Sequence, residues 1–352
     1  MTILSVAYPL IPVGPDASGG AEQILFLVER AIAAAGHDSI VIAAAGSQVS
    51  GTLIPTPLMK GEITDDVRRQ AQQIHQRCIE QSLDEQSIDL IHFHGLDFYS
   101  YQPASAVPKL ATLHLPLAWY PDSIFSRHDI ALNCVSDSQA RTAPDSSPLS
   151  VILNGIDLDC YNKPRGTKEF LLWFGRICPE KGTHIALEIA HRLNLPMVVA
   201  GPVHPFRDHQ VYFSSRVEPL LDSEHRYIGP IGLEQKTQLL AEARCLLIPS
   251  LAPETSSLAA MEAISSGTPV VAFRSGALPE VVEDGLTGFI ADSEDEMAAA
   301  VAKTDSISTE VCRERARLRF DARRMANDYR CLYERVIRMR HLEIDSAPHK
   351  NL

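Results

Sequence analysis

Two carboxylates eight residues apart, Glu254 and Glu262, stand in the segment PETSSLAAMEAISSGTPVVA. The segment reads as a short alanine-rich helix running into a strand, and Glu262 sits in it among Leu258, Ala259, Ala260, Met261, Ala263 and Ile264. A buried charge is costly unless something pairs with it or hydrogen-bonds to it. The positions three and four residues away hold Ala259, Leu258, Ser265 and Ser266, none of them cationic. Either a distant residue satisfies Glu262 or a ligand does. Thr255 or Ser256 can cap the helix and leave the N–H groups of its first turn open to an anion. Glu254 lies just before that cap, about two turns ahead of Glu262. A ligand with a negative middle and hydroxylated ends suits such a pair.

Two further stretches are ready for an anion. In EFLLWFGRICPEKGTHIALEIAHRL a strand leads into a loop carrying Arg176 and Lys181, then a helix. Ligands of open α/β sheets bind beyond the carboxyl ends of strands, where these cations would lie and together hold a diphosphate. Near the N-terminus, Gly19 and Gly20 immediately precede a helix, in a pattern that is neither G-x-G-x-x-G nor a P-loop. Glycines let a backbone approach a ligand closely, and a helix start offers free N–H groups. A turn that merely starts a helix reads the same way.

The elements that must position these residues follow a clear rhythm. Apolar, β-branched runs alternate with amphipathic stretches: TILSVAY, DSIVIAA, IDLIHFH, VPKLATLH, DIALNCVS and PLSVILN, then EFLLWFG, LPMVVAG, RCLLIPS and TPVVAF. Alternation of this kind marks parallel sheets wrapped by helices. The expectation is an α/β chain of two facing Rossmann-like domains, 1–153 and 169–318, joined by a connection at 154–168 where NGIDLDCYNKPRGTKE breaks the rhythm. A C-terminal helix at 319–342, with Met325, Tyr329, Leu332, Tyr333, Val336 and Ile337 on one side, is expected to pack back on the N-terminal domain.

Composition narrows the partners. The 352 residues suffice for two ordinary domains, and the net charge of -12 argues against nucleic acid, which is met by basic surfaces. Seven scattered cysteines point to reduced thiols in a cytoplasmic protein. The opening MTILSVAYPLIPVG has no basic residue ahead of its apolar stretch and reads as a first strand rather than a signal peptide. No clearly basic amphipathic N-terminal helix announces a membrane partner, so stable membrane association is not expected. His92 and His94 share a face of IHFHG, but two histidines without a third ligand make a poor metal site, and no metal is expected.

Taken together and in order, SGGAEQ, FGRICPEKG, PETSSLAAMEAISSGTPVV and LPEVVEDGLTGFI resemble the retaining nucleotide-sugar glycosyltransferases of the GT-B fold, family 4. The likeness covers nearly the whole chain. It implies a nucleotide diphosphate sugar, UDP- or GDP-linked, held mainly by the C-terminal domain, a hydroxyl acceptor held by the N-terminal one, and a cleft between. By position, Arg176 and Lys181 would neutralise the diphosphate, and Glu262 would accept from the ribose hydroxyls. Glu254 would bind hydroxyls of the transferred sugar, and the amides around Ser257 and Leu258 would contact sugar and phosphate. Gly20, beside Gly19, would close over the diphosphate. Ile231 marks the loop that holds the base, and His114 stands where the family has a histidine beside the reacting sugar. The nucleotide sugar is a substrate, and no cofactor is implied.

The chain departs from the family where a Phe-Gly pair often follows the first glutamate, for here Ser256 and Ser257 occupy those places. The aspartates of NGIDLD, Asp157 and Asp159, fall in what the family uses as a domain connection, not in a metal site. Aromatic residues of LDFYSYQP and LPLAWYPDSIF offer surfaces for a soluble acceptor. An epimerase or a phosphorylase could share the architecture, as could a non-catalytic two-domain sugar-binding protein. A nicotinamide-dependent dehydrogenase lacks its glycine fingerprint here.

Overall fold

The computed structural model describes residues 1–346 except 18, 60, 62 and 145–148. The chain divides into two compact units, Met1–Asn154 with Ala322–Leu352, and Gly155–Asp321.

In the first unit, strands β1 (Thr2–Val6), β2 (Asp38–Ala44), β3 (Thr52–Thr56), β4 (Leu90–Phe93), β5 (Lys109–Leu113), β6 (Ala131–Cys134) and β7 (Leu149–Val151) form one parallel sheet in the order β3-β2-β1-β4-β5-β6-β7. Helices α1 (Gly20–Ala34), α2 (Asp65–Glu85) and α3 (Asp137–Ala140) follow the strands. Side chains alternate across the pleat. Leu4, Val6, Ile40, Ile42, Ile91 and Phe93 build one core, while Ala7, Val41 and Ala43 meet Leu25 of α1 in another.

The second unit repeats the plan. Strands β8 (Leu171–Phe174), β9 (Met197–Ala200), β10 (His225–Tyr227), β11 (Cys245–Ile248), β12 (Val270–Phe273) and β13 (Gly288–Ala291) lie parallel in the order β10-β9-β8-β11-β12-β13. Around them run α4 (Thr183–Leu193), α5 (Arg207–Tyr212), α6 (Leu233–Glu242), α7 (Leu258–Ser265), α8 (Leu278–Val281), α9 (Glu294–Val301) and α10 (Thr309–Arg319). Leu172, Leu246 and Val270 pack on Met261 and Ala263 of α7, while Leu171, Leu247 and Val271 face the opposite core with Ile185 and Leu187 of α4. Both faces of the central strands are therefore buried, which is why they read as continuous apolar runs.

Three strands have no counterpart among those runs: β3, β10 and β13, all at sheet edges. An edge strand needs less apolar cover and tolerates residues a central strand does not, such as Pro55 in β3. Residues 155–168, expected as a connection, are counted in the second unit. Ile156 bonds to Phe320 O at 2.8 Å, and Tyr161 is buried in that unit's core. The last helix, α11 (Ala322–Ser346), starts later and ends later than the 319–342 expected, because Arg319 closes α10 and Asp321 bridges to Ile156. Helix α11 packs on α1 of the first unit.

Candidate functional site

Within the second sheet the strand order reverses between β8 and β11, which are hydrogen-bonded neighbours. Loops leaving the carboxyl ends of such a pair open beside each other, and ligands bind there. Arg176 comes two residues after β8 and is exposed, and its backbone carbonyl accepts from Cys178 Sγ at 3.5 Å. Lys181 closes a 3-10 turn, Pro179–Lys181, just before α4. Gly182 follows at φ 65°, and a Cβ there would lie 2.2 Å from Pro249 O, so only glycine lets this turn sit on the continuation of β11.

From β11 come Ser250 and Glu254. Lys181 Nζ donates to Glu254 Oε1 at 2.6 Å, and Ser250 Oγ donates to the same oxygen. The main chain at Glu254 is clamped from the loop after β12: Ala277 N donates to Glu254 O at 2.7 Å. Gly276 has φ 56°, and a Cβ on it would stand 2.2 Å from Glu254 O and 2.4 Å from Glu254 N. Thus the structure brings Lys181 and Glu254 into direct contact and fixes the backbone that carries the carboxylate.

Helix α7 is capped by Ser257, whose hydroxyl accepts from Ala260 N at 3.4 Å. Neither Thr255 nor Ser256 is the N-cap. The helix begins at Leu258, so only Ser257 stands at the half-in position whose side chain reaches the N–H three residues on. Ser256 Oγ is instead enclosed without a hydrogen-bond partner among the described residues. Ser257 and Leu258 thus stand at the helix mouth, where its first amides lack intrahelical partners.

Glu262 lies in the second turn of α7 and is 3% exposed, so its charge needs compensation. Two distant residues supply it, both at Oε1: Lys236 Nζ of α6 at 2.5 Å and Tyr161 OH at 2.7 Å. Burial, and then the Glu262 charge, push the Tyr161 hydroxyl well above its ordinary pKa, so it remains a donor. Ile231 is half-buried in the turn leading to α6, five residues ahead of Lys236. The base loop expected at Ile231 and the partner of Glu262 therefore share one short segment.

In the first unit Gly19 is the N-cap of α1 and Gly20 its first residue. The Glu22 carboxyl folds over Gly19, and burial raises its pKa to about 7. His114 follows β5 and is half-buried. Its Nε2 is 3.1 Å from His94 Nδ1, and His94 Nε2 is 3.1 Å from His92 Nδ1. His92 Nε2 lies 2.8 Å from Thr112 Oγ1, and His92 Nδ1 lies 2.8 Å from Tyr333 OH of α11. Burial lowers His114 to about 4 and holds His92 and His94 well below the usual range, so all three are neutral. The nitrogens of His92 and His94 are spent on these neighbours rather than converging on an ion.

Among the described residues two groups of metal-ligand type occur, both in the second unit: Cys178–Glu180–His209 and His191–Asp222–His225. In the second, Asp222 Oδ1 is engaged by the N–H groups of Glu224 and His225 and by His225 Nδ1. Asp157 caps the 3-10 turn Leu158–Tyr161 by accepting from Asp159 N. Half of the aromatics offered for an acceptor are core: Phe98, Tyr101 and Tyr120 are buried, Tyr99 and Phe125 are partly buried against the same core, and Trp119 is 64% exposed.

Sequence reasoning missed Lys236, Tyr161, Ser250 and Gly276. Lys236 had a faint signal, a cation on the helix that follows Ile231. The others answer to no local pattern. Among the described residues no helix is long and apolar enough to cross a membrane.

Residues 161–325 match the sequence profile of the family described as Glycosyl transferases group 1. A D-inositol 3-phosphate glycosyltransferase of Corynebacterium efficiens is 30% identical over 173 residues, a match spanning 43% of this chain and 41% of that protein. The chain thus spans less than half the length of that relative. A glycogen synthase of Mycobacterium tuberculosis is 25% identical over 94% of this chain and 91% of its own length. The crystal structure of Anabaena Alr3699/HepE in complex with UDP and glucose superposes with a TM-score of 0.75 at 18% identity, covering 95% of this chain and 99% of that one. The fold is that of the GT-B glycosyltransferases, and residues 161–325 are similar to the glycosyl transferases of group 1.

Proposed function

We propose that the protein is a retaining hexosyltransferase that moves a sugar from a nucleotide diphosphate donor to a hydroxyl acceptor without a metal ion. The observation that carries this reading is the cluster at the β8–β11 reversal: exposed Arg176, the Lys181–Glu254 pair, and the capped mouth of α7 with Glu262 behind it. Breaking the anomeric bond puts negative charge on the diphosphate while the sugar gains oxocarbenium character. Fixed cations and helix-start amides stabilise that charge without reorganising. Arg176, Lys181, and the amides at Ser257 and Leu258 take that role, with Gly19 and Gly20 assigned to the phosphates from α1.

Glu262 receives the ribose hydroxyls while Lys236 and Tyr161 hold it in place. Glu254 receives sugar hydroxyls, Ile231 flanks the base, and Ser256 lends its hydroxyl where relatives often carry bulk and a glycine. His114 contacts the transferred sugar, and the departing phosphate takes the acceptor proton. The HepE structure, with UDP and glucose bound, favours a uridine donor, and we assign the acceptor to a soluble hydroxyl compound of the cytoplasm.

Thermal melting with UDP, GDP, ADP and their glucose or mannose conjugates tests this. A ligand present at a hundred times its Kd adds about 2.7 kcal/mol, which raises Tm by roughly 5–10 °C for a unit of this size. UDP and UDP-glucose should produce that shift. Arg176→Ala should abolish it while leaving the ligand-free Tm unchanged, since the side chain is exposed. No shift with any nucleotide, or a full shift in Arg176→Ala, would overturn the assignment.

A further inference from the structure

The transfer reaction proposed above gives work to His114 but none to His92 or His94, although the three imidazoles form one hydrogen-bonded file. We infer that His94 is a positioning residue: backed by His92, it fixes the ring plane and the tautomer of His114. This inference rests on the hexosyltransferase reading only for the role of His114 at the sugar.

The direction of the file follows from its inner end. Asn133 Nδ2 can only donate, and it points to Tyr329 OH of α11 at 3.3 Å. Tyr329 has one proton, which goes on to Thr112 Oγ1 at 3.2 Å. Thr112 has one as well, which goes to His92 Nε2 at 2.8 Å. A neutral imidazole carries a single N–H. With Nε2 accepting, His92 holds its proton on Nδ1, between His94 Nε2 at 3.1 Å and Tyr333 OH at 2.8 Å. His94 then protonates on Nδ1 and donates to His114 Nε2 at 3.1 Å. His114 is left as the Nδ1–H tautomer.

Geometry and solvation agree on this. His92 and His94 are buried, and desolvation keeps every ring uncharged, so no second proton blurs the order. The His94 and His114 rings stack with an interplanar angle of 22°, which holds the His114 plane as well as its nitrogen. An Nδ1–H imidazole donates to a hydroxyl oxygen. It takes up a proton only by becoming an imidazolium in a site that disfavours charge. His114 therefore serves as a hydrogen-bond donor to substrate rather than as a general base.

Nitrogen-15 labelling of the histidines in the full chain reads the tautomer directly through long-range proton–nitrogen correlations. Wild type should show His114 as one tautomer, Nδ1–H. His94→Phe should turn it into a mixture, and His94→Asn, whose amide nitrogen can stand in for Nδ1, should restore it. If His94→Phe fails to fold, isosteric Thr112→Val breaks the file at its inner end and should mix the His114 tautomers too. UDP-glucose turnover should fall at least tenfold in kcat with KM within about twofold in His94→Phe, and recover in His94→Asn. A wild-type mixture, or an unchanged His114 in both His94→Phe and Thr112→Val, would sink the inference. So would a tautomer change without a kcat change. Absence of any nucleotide-sugar turnover in wild type would instead count against the proposed function, while the nitrogen spectra still decide how His94 acts on His114.

Discussion

Removing Lys236 asks most directly what compensates Glu262 inside α7. The side chains of Lys236 and Glu262 are 14% and 5% exposed, so truncation to alanine strands a carboxylate with Tyr161 as its one remaining side-chain donor among the described residues. Breaking such a buried pair from one side typically costs about 3–5 kcal/mol. Lys236→Ala should therefore lose about 3–5 kcal/mol, roughly 10 °C in Tm for a domain of this size. Calorimetry measures the difference, and adding Glu262→Gln should erase most of the penalty, because the double variant leaves no charge without its partner. A variant that melts within about 0.5 kcal/mol of wild type, or a double variant no more stable than Lys236→Ala, would refute the pairing.

Two other perturbations test the supports of the site. Gly276→Ala places a Cβ against the Glu254 backbone at positive φ, and should cost more than about 1 kcal/mol and weaken UDP-glucose binding more than UDP binding; equal weakening of both ligands would detach Glu254 from the sugar. Burial raises Glu22 to about 7 from an ordinary value of 4.5, so between those values the folded chain keeps a proton that the unfolded chain has lost. Its contribution to stability falls as pH rises through that window, by up to about 3 kcal/mol, and Glu22→Gln should flatten that part of the pH profile measured by chemical denaturation. An unchanged slope would mean the carboxyl is not desolvated.

What local sequence carried is seen in particular elements. Central strands such as β8 and β11 were legible because both their faces are buried, which forces an unbroken apolar run. Edge strands β3, β10 and β13 were not, since an exposed edge imposes no such demand on Pro55 or on Arg226. The anomaly at Glu262 was visible as well: a charge in an apolar helix announces that a partner must exist, because desolvation acts on the residue itself.

Which partner, however, was a matter of tertiary structure. Lys236 is 26 residues away and Tyr161 is 101, and nothing in the spacing of either relates it to α7. The same holds for the file from Asn133 to His114, assembled from β4, β5, β6 and a helix nearly two hundred residues further on. Residue type and periodicity settle how each segment satisfies its own backbone and buries its own apolar face. Pairing of polar atoms across segments depends on ångström-scale approach, which only the packed chain decides.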